Sequence, residues 1–303
     1  MTGPFLVRLA FHDDGSPAGH FPADVAAPQL SVLDLGSTRG DGIFETISLG
    51  NGYLQALEPH LARFAHSAQM LDLPTPDAAQ WRAAVVEVAA HLVSATGAPV
   101  DEGFVKIVMT RGVEGGSGSL LPATTAPTGW VLAAVAPDHT PARRDGIRVV
   151  LLDRGYRHDI AQTSPWLLAG AKTLSYAINR GVFREAARRG ADDALFVSSD
   201  GYLLEAAVSN LVLKRGQTLL TPRTDLGILA GTTQADVFTW AAGRGFATEY
   251  ALLTVDDLAG ADAAWLLSSG RHAAPIRAID GVERPIDAEL TAEINAFLHA
   301  RTS

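Results

Sequence analysis

The stretch Gly170-Ala171-Lys172-Thr173-Leu174-Ser175-Tyr176 carries the residue around which we interpret this chain. Lys172 follows a segment of apolar and small residues, 165–171, and we expect it at the start of a helix that runs to about Arg189. A lysine in such surroundings loses solvation, which lowers its pKa toward the range in which the neutral amine is a nucleophile. Lys172 is therefore a candidate for covalent chemistry.

A second stretch, Gly201-Tyr202-Leu203-Leu204-Glu205, places a carboxylate in an apolar run. Carboxylates in apolar surroundings are usually paired. Neutral lysine amines condense with aldehydes, and the aldehyde that a carboxylate would complement is pyridoxal 5'-phosphate, whose ring nitrogen needs a charged partner. The structural alternative is that Lys172 and Glu205 form an ordinary ion pair or lie on a solvent-exposed edge.

Composition limits the class of protein. The 303 residues suit one large domain or two smaller ones, and 47% hydrophobic with 19% charged residues are typical of a soluble globular protein. The net charge of −9 argues against nucleic acid or an anionic membrane as the main partner, although a local cluster could bind a small anion. The absence of cysteine excludes disulfides, thiolate nucleophiles and zinc-cysteine sites.

The N-terminal segment and the histidines carry no further signal. Residues 1–10 lack a basic segment followed by an apolar run, and no apolar run approaches the length of a membrane span, so we expect a cytoplasmic protein. His60 and His66 do not share a helix face at metal-ligand spacing, so no metal site is predicted.

The hydrophobic pattern predicts an α+β chain with two domains. Residues 5–11 and 103–110 indicate strands, and Ile43, Glu45 and Ile47 are predicted to share one face of another, which leads into a hairpin turn at Asn51-Gly52. We expect a loop after residue 11 and a helix from Pro59 to Leu73. The predicted organisation is a smaller N-terminal α/β domain over residues 1–136, a linker with two prolines over 137–145, and a larger domain over 146–303.

Three further groups could bind a phosphate or another ligand. Gly231-Thr232-Thr233 opens a predicted helix, where free amides and two hydroxyls suit a phosphate, although threonine is also a common N-cap. Arg63 adjoins two core candidates and could bind a phosphate bidentately, or could be a solvated helix residue. Ser268-Ser269-Gly270 follows a buried strand and could supply a ligand or simply a turn.

Taken in order, five motifs resemble the class IV aminotransferases, which are the fold-type IV pyridoxal-phosphate enzymes. The resemblance extends from about residue 30 to residue 281. The motifs are Thr38-Arg39-Gly40-Asp41-Gly42-Ile43-Phe44-Glu45-Thr46, His60-Leu61-Ala62-Arg63-Phe64, Ala171-Lys172-Thr173-Leu174, Glu205-Ala206-Ala207-Val208-Ser209-Asn210 and Gly231-Thr232-Thr233.

This resemblance implies roles for individual residues. Lys172 would bind the cofactor covalently and then move the proton, and Glu205 would pair with the protonated pyridine nitrogen. The phosphate would be bound by Arg63, Thr232, Thr233 and Ser269. Family members are homodimers that bind the cofactor between a smaller N-terminal and a larger C-terminal domain with a β-barrel-like core, and a loop of the neighbouring subunit completes the site.

Within the family, three segments look most like the aminodeoxychorismate lyases. They are Arg39–Thr46, Lys172-Thr173-Leu174 and Arg111-Gly112-Val113-Glu114-Gly115-Gly116. The loop 115–119 lacks the arginine and histidine with which the D-amino-acid enzymes bind a carboxylate, and it lacks the arginine that some lyases have after the paired glycines. The branched-chain enzymes commonly place a tyrosine five residues after the lysine, whereas Tyr176 is four after it.

The resemblance thus implies an enzyme that acts on a small amino substrate with a carboxylate. We expect a lyase that converts 4-amino-4-deoxychorismate to 4-aminobenzoate and pyruvate in folate biosynthesis. The alternative is a transaminase of D-amino or branched-chain amino acids, with dual activity also open. A non-catalytic binding protein with the same fold is a third hypothesis, which Lys172 and Glu205 argue against. Candidate substrate residues are Thr46, Arg111, Arg157, Tyr176 and Arg271.

Overall fold

The computed structural model describes residues 3–96, 100–115 and 126–302. The chain forms two compact units. The first unit comprises Met1–Pro137, Ala171–Tyr176 and Arg301–Ser303, and the second unit comprises Asp138–Gly170 and Ala177–Ala300. Within the described ranges no helix is long and apolar enough to cross a bilayer. The loop over residues 115–119 lies, from residue 116 onward, outside the described residues.

The first unit has one sheet and helices that cover it. Its strands are β1 (Phe5–Phe11), β2 (Pro17–Ala23), β3 (Gly42–Gly50), β4 (Tyr53–Leu54), β5 (Glu102–Thr110) and β6 (Thr128–Val135). Its helices are α1 (Leu35–Arg39), α2 (Leu57–Met70) and α3 (Ala78–Thr96).

The six strands pair antiparallel in the order β2-β1-β6-β5-β3-β4. The strands predicted at 5–11 and 103–110 are confirmed, as is the hairpin turn at Asn51-Gly52, where both residues adopt positive φ. Strand β3, which lies between β5 and the short edge strand β4, is buried over nearly its whole length, and α2 packs against it. The helix predicted from Pro59 to Leu73 is observed as α2, shifted slightly toward the N-terminus.

Two local expectations for the first unit were wrong. The segment after residue 11 is the strand β2 rather than a loop, since its backbone pairs with β1 at the edge of the sheet, where Pro17 and Pro22 are tolerated. The segment around Lys172 does not begin a helix, because its backbone pairs with β3, as described below.

The second unit has a longer sheet. Its strands are β7 (Ile147–Asp153), β8 (Asp193–Val197), β9 (Leu203–Ala206), β10 (Asn210–Arg215), β11 (Thr218–Pro222), β12 (Ala247–Ala251), β13 (Ala263–Ser268), β14 (His272–Ile279) and β15 (Val282–Glu283). Its helices are α4 (Thr140–Asp145), α5 (Ile160–Thr163), α6 (Ala177–Arg188), α7 (Thr232–Ala242), α8 (Val255–Ala259) and α9 (Ala288–Ala300), with 3₁₀ turns at Pro165–Leu167 and Thr224–Leu226.

This nine-stranded sheet is mixed, in the order β12-β11-β10-β13-β14-β7-β8-β9, with β15 paired to β14. The pairs β11–β12, β14–β7 and β7–β8 are parallel, and the others are antiparallel. β9, at one end of the path, also packs against β10 and β11, so the sheet curls toward a barrel. The predicted α+β class is confirmed.

The predicted linker at 137–145 contains the short helix α4, which packs on β14 and α9. Helix α4 belongs to the second unit because these contacts tie it there. The placement of the boundary between independently folding domains stays a prediction.

Candidate active site

In the first unit, the Lys172 segment extends the sheet locally beside β3. The Phe44 N–H donates to the Lys172 carbonyl at 3.0 Å, and the Leu174 N–H donates to the Gly42 carbonyl at 2.8 Å. These bonds require an extended backbone, so helix α6 begins only at Ala177. A turn precedes the segment, with Leu168 and Gly170 both at positive φ.

The Arg39-Gly40-Asp41-Gly42 motif is explained by this close approach. A side chain at Gly42 would lie 2.7 Å from the Met109 carbonyl oxygen and 2.8 Å from Leu174 Cδ1. Gly40 has a φ of 70° and closes α1 next to Ser175. Both glycines therefore allow the lysine segment to pair with β3.

The Lys172 side chain and backbone are each fixed by a neighbour. Its amine Nζ lies 4.5 Å from the ring centroid of Phe44. Its backbone N–H donates to Ser67 Oγ at 3.1 Å, and Ser67 is buried on α2. The backbone that carries the Lys172 amine is thus hydrogen-bonded to β3 and to α2.

Arg63 lies on α2 and is bound to a buried carboxylate. Its Nε donates to Glu45 Oε1 and its Nη2 to Glu45 Oε2, both at 2.7 Å. His60 Nδ1 lies 2.8 Å from the same Oε2. Glu45 is fully buried, and the side chains of His60 and Arg63 are 1% and 10% exposed. The alternative of a solvated Arg63 is excluded by this burial.

The charges of this cluster determine its protonation. Burial alone would raise the pKa of Glu45, but the charge and hydrogen bonds of Arg63, with the hydrogen bond of His60, lower it from 4.5 to about 2. Burial lowers the pKa of His60, against the opposite effect of Glu45. At neutral pH the cluster therefore contains an ionised carboxylate, a guanidinium and a neutral imidazole.

In the second unit, Glu205 is the third residue of β9, lies half-buried and is held by two donors. The Leu229 N–H donates to its Oε1 at 3.2 Å, and Asn210 Nδ2 donates to its Oε2 at 3.3 Å. The same Asn210 amide donates to the Leu229 carbonyl at 2.8 Å. Glu205 therefore has a fixed orientation, set by the turn into β10 and by residue 229.

Helix α7 begins at Thr232, and its N-cap residue is Gly231, which has no side chain that could cap the first amides. Thr232 and Thr233 are buried, and Thr233 Oγ1 lies 3.4 Å from Ser269 Oγ at the end of β13. Two threonine hydroxyls, a serine hydroxyl and helix N-terminal amides are thus grouped as an anion-binding site requires. Threonine as a simple N-cap does not fit, because the N-cap is Gly231.

The candidate substrate arginines are engaged in ion pairs. Arg111 Nε donates to Asp41 at 2.6 Å, and its Nη2 donates to the Leu71 carbonyl at 2.6 Å. Arg271 Nη2 donates to the fully buried Asp193 at 2.7 Å. The exposed Arg157 pairs with Asp159 and Asp200. These contacts give each arginine a structural function, and a role with substrate stays a prediction.

The remaining substrate candidates are Tyr176, at the end of the lysine segment, and Thr46, on β3. The Tyr176 ring meets the Phe44 ring edge-on, with centroids 5.4 Å apart. Thr46 lies on β3 opposite Lys106 of β5. Lys106 Nζ lies 5.2 Å from the Phe44 ring centroid, so this ring has lysine amines from two segments near it.

The structure adds residues that the sequence alone did not single out. Ser67 and Phe44 fix Lys172, Glu45 fixes Arg63, and Asn210 fixes Glu205. Glu45 had a detectable signal, as a carboxylate between two isoleucines on one strand face, and Phe44 and Asn210 lie within the motifs that carry the family resemblance. The partners of a backbone N–H, such as that of Lys172, leave no trace in a sequence.

Comparison with known proteins assigns the family. Residues 42–279 match the family described as amino-transferase class IV. The chain belongs to this family. The match spans the lysine segment, both threonines of α7 and the Glu45 cluster.

Relatives of known name cover nearly the whole of this class IV aminotransferase. A bifunctional aminodeoxychorismate lyase / D-amino acid transaminase from Mycobacterium tuberculosis is 41% identical over 277 residues, which are 88% of this chain and 92% of the relative. A fold IV-transaminase from Curtobacterium pusillum is 53% identical, with a TM-score of 0.92 over 99% of this chain and 100% of that one. A hypothetical aminotransferase from Mycobacterium tuberculosis, solved in a PLP-bound form, is 39% identical, with a TM-score of 0.87 over 98% and 99% of the two chains.

Proposed function

We propose that this class IV aminotransferase is a pyridoxal-phosphate enzyme that converts 4-amino-4-deoxychorismate to 4-aminobenzoate and pyruvate. The observation that carries the proposal is the Lys172 amine, presented next to Phe44 from a backbone bound by β3 and α2. The lyase named among the activities of the 41% identical relative supports the substrate.

The side chains fit the cofactor. A phosphate matches the guanidinium of Arg63 and the hydroxyls of Thr232, Thr233 and Ser269, with the first amides of α7. The ring nitrogen matches Glu205, a carboxylate held in one orientation by Asn210 and the Leu229 N–H. Lys172 supplies the amine that binds the aldehyde carbon. The PLP-bound neighbour at 39% identity supports this assignment.

In the proposed reaction each residue has one task. The cofactor supplies an electron sink for the amine-bearing carbon of the substrate. Lys172 Nζ would take the proton from that carbon, and Glu205 would hold the ring nitrogen in its protonated form. The ether bond to the three-carbon side chain then breaks, the ring becomes aromatic, and the leaving group takes up a proton to become pyruvate. No amino acceptor, oxidant or reductant is consumed.

A second candidate is transamination of D-amino acids or branched-chain amino acids, alone or beside the lyase activity. The name of the 41% identical relative includes a D-amino acid transaminase, and the 53% identical structure is of a transaminase. Transamination uses the same lysine chemistry but needs a keto acid as amino acceptor. The requirement for an acceptor therefore separates the two activities.

We further propose a cytoplasmic homodimer, active in folate biosynthesis, with a small amino substrate that carries a carboxylate. Thr46, Arg111, Tyr176 and Arg271 are the residues we propose near the substrate, and residues 1–136 and 146–303 are the proposed domains. The family resemblance of the motifs supports the dimer. Tyr176 and Thr46 are supported by their positions beside Phe44 and on β3.

The deciding experiment incubates cofactor-loaded protein with aminodeoxychorismate, without a keto acid, and follows aminobenzoate by fluorescence. We expect product from the wild type and none from Lys172→Ala. Lys214→Ala is the matched control, since Lys214 pairs with Asp287 and should leave turnover intact. If loaded wild type forms no aminobenzoate, the lyase assignment is wrong, and D- and L-amino acids with a keto acid test the transaminase.

A further inference from the structure

The cluster of Glu45, His60 and Arg63 is a buried charged group to which the proposed reaction assigns only Arg63. Glu45 lies on β3 between Ile43 and Ile47, which are both fully buried on the same strand face. The pattern of this face favours an apolar residue at position 45. A carboxylate there loses its hydration, and an apolar residue of similar size often stabilises a fold at least as well as a buried ion pair.

The geometry shows what the carboxylate does instead. Both oxygens of Glu45 accept from one edge of the Arg63 guanidinium, Nε and Nη2, at 2.7 Å. Such a bidentate pair fixes the plane of the guanidinium and its rotation about the side chain. His60 Nδ1, 2.8 Å from Oε2, fixes the carboxylate in turn. Glu45 therefore determines the plane in which the Arg63 guanidinium can bind an anion.

Helix α2, which carries Arg63, and strand β3, which carries Glu45, also hold Lys172. Ser67 follows Arg63 by one turn of α2 and accepts the Lys172 N–H. Phe44 precedes Glu45 on β3, donates its N–H to the Lys172 carbonyl and lies under the amine. The guanidinium of Arg63 and the amine of Lys172 are thus fixed with respect to one another through α2 and β3 of the first unit.

We propose that Glu45 is a positioning residue for the cofactor phosphate: it fixes the Arg63 guanidinium, with His60 as its second anchor, at a set distance from the Lys172 amine. The inference rests on the proposed function, because it needs a phosphate on Arg63. Glu45 acts through Arg63 and touches no substrate. It follows that the loss of Glu45 weakens the recognition of the phosphate group and leaves the attachment of the aldehyde to Lys172 in place.

The test compares the affinities of pyridoxal 5'-phosphate and of pyridoxal, which lacks the phosphate, followed by the visible absorbance of the lysine-bound aldehyde. Glu45→Gln keeps the shape but replaces one oxygen by an NH₂ group that cannot accept from Arg63. We expect the affinity for pyridoxal phosphate to fall by about tenfold to a hundredfold, the range found for the residues that orient the ligands of a metal. The affinity for pyridoxal should stay within about twofold, since no phosphate is involved.

Three variants control the test. Asp34→Asn makes the same chemical change at another fully buried carboxylate of the first unit, which accepts from Gly36 and Thr110, and should keep the wild-type preference for the phosphate form. Arg63→Gln should lose that preference, and adding Glu45→Gln to it should have no further effect, because Glu45 acts through Arg63. If Glu45→Gln does not fold, His60→Leu removes the bond to Oε2 but keeps both bonds from Arg63 to Glu45, and should show a smaller loss of the same preference.

The outcomes separate this inference from the proposed function. A Glu45→Gln protein that retains the wild-type ratio of the two affinities overturns the positioning role and leaves the cofactor assignment intact. Additive losses in Glu45→Gln and Arg63→Gln also overturn it. A wild type that binds neither aldehyde overturns both the proposed function and the inference.

Discussion

At the scale of single residues, the Lys172 amine depends on a contact made by its own backbone. Its N–H donates to Ser67 Oγ, which lies buried on α2 at 3.1 Å. A lysine side chain is flexible, so an amine that must react at one place needs a fixed main chain behind it. Ser67 fixes the main chain on one side of the Lys172 segment, and β3 fixes it on the other.

We expect Ser67→Ala to reduce turnover more than stability. The change removes one hydrogen bond, which costs about 1 kcal/mol of unfolding free energy. Turnover should fall by about tenfold, since small displacements of a reacting group are costly. Aminobenzoate formation and urea unfolding measure the two effects.

Ser94→Ala is the control for Ser67→Ala, because Ser94 bonds to the Ala90 carbonyl on an exposed part of α3. Ser94→Ala should change neither the turnover nor the unfolding free energy beyond experimental error. Equal turnover in Ser67→Ala and Ser94→Ala would contradict the role of Ser67.

At the scale of elements, the start of α7 is built around an asparagine. Asn210 joins Glu205 of β9 to residue 229, just before the helix. Gly231 makes room for it, since a Cβ there would lie 2.0 Å from Asn210 Oδ1. One glycine thus connects the proposed phosphate site on Thr232 and Thr233 with the carboxylate proposed for the ring nitrogen.

We expect Gly231→Ala to weaken both the fold and cofactor binding. The φ of Gly231 is −74°, which alanine adopts without strain, so the effect comes from the added Cβ, which would overlap Asn210 and lie 3.2 Å from Gln234 Cβ. Overpacking of this kind costs about 1–3 kcal/mol of unfolding free energy. Calorimetry with and without pyridoxal phosphate measures both quantities.

Gly181→Ala is the matched control, and we expect it to raise the unfolding free energy rather than lower it. Gly181 lies inside α6, and its added Cβ would make only an ordinary contact with Arg184 at 3.7 Å. Alanine in a helix interior should stabilise by about 0.5–1 kcal/mol. A Gly231→Ala protein as stable as Gly181→Ala would show that Asn210 can move without cost.

At the scale of the whole molecule, the buried cluster links stability to pH. The pKa of Glu45 is lowered to about 2 in the folded chain from an ordinary value of 4.5. The folded state therefore holds the ionised form more strongly than the unfolded state. This contribution is complete above pH 4.5 and is lost as the pH falls toward 2. Burial lowers the pKa of His60 in the folded chain from its ordinary value of 6.5. Stability therefore also falls as the pH drops below 6.5, in the same direction as the effect of Glu45.

We expect the unfolding free energy of the wild type to fall more steeply between pH 4.5 and about 2 than that of Glu45→Gln. The variant should be less stable at neutral pH, and the difference should shrink as the solution becomes acidic. Urea unfolding at a series of pH values measures this. Parallel curves for the two proteins would show that Glu45 does not titrate as an ion pair.

Glu58→Gln is the surface control for this pH series. Glu58 pairs with Arg82 on the exposed side, and its side chain is 64% accessible. Exposed pairs contribute little to stability, so its curve should follow that of the wild type.

The local pattern of the sequence determined much of this protein. The alternation of Ile43, Glu45 and Ile47 predicted the strand β3, and Gly231-Thr232-Thr233 predicted the start of α7. The ordered motifs around Lys172 and Glu205 indicated the family, which the match over residues 42–279 confirmed. Periodicity, turn residues and short motifs are properties of neighbouring residues, so a sequence displays them directly.

The tertiary structure alone decided how these residues are held. The Lys172 segment is extended because it pairs with β3, far away in sequence, although its own residues suggested a helix. Arg63 is fixed by Glu45, Lys172 by Ser67 and Glu205 by Asn210. Each of these bonds depends on distances and directions between separate elements. Those are set by the packing of the folded chain, which no local pattern records.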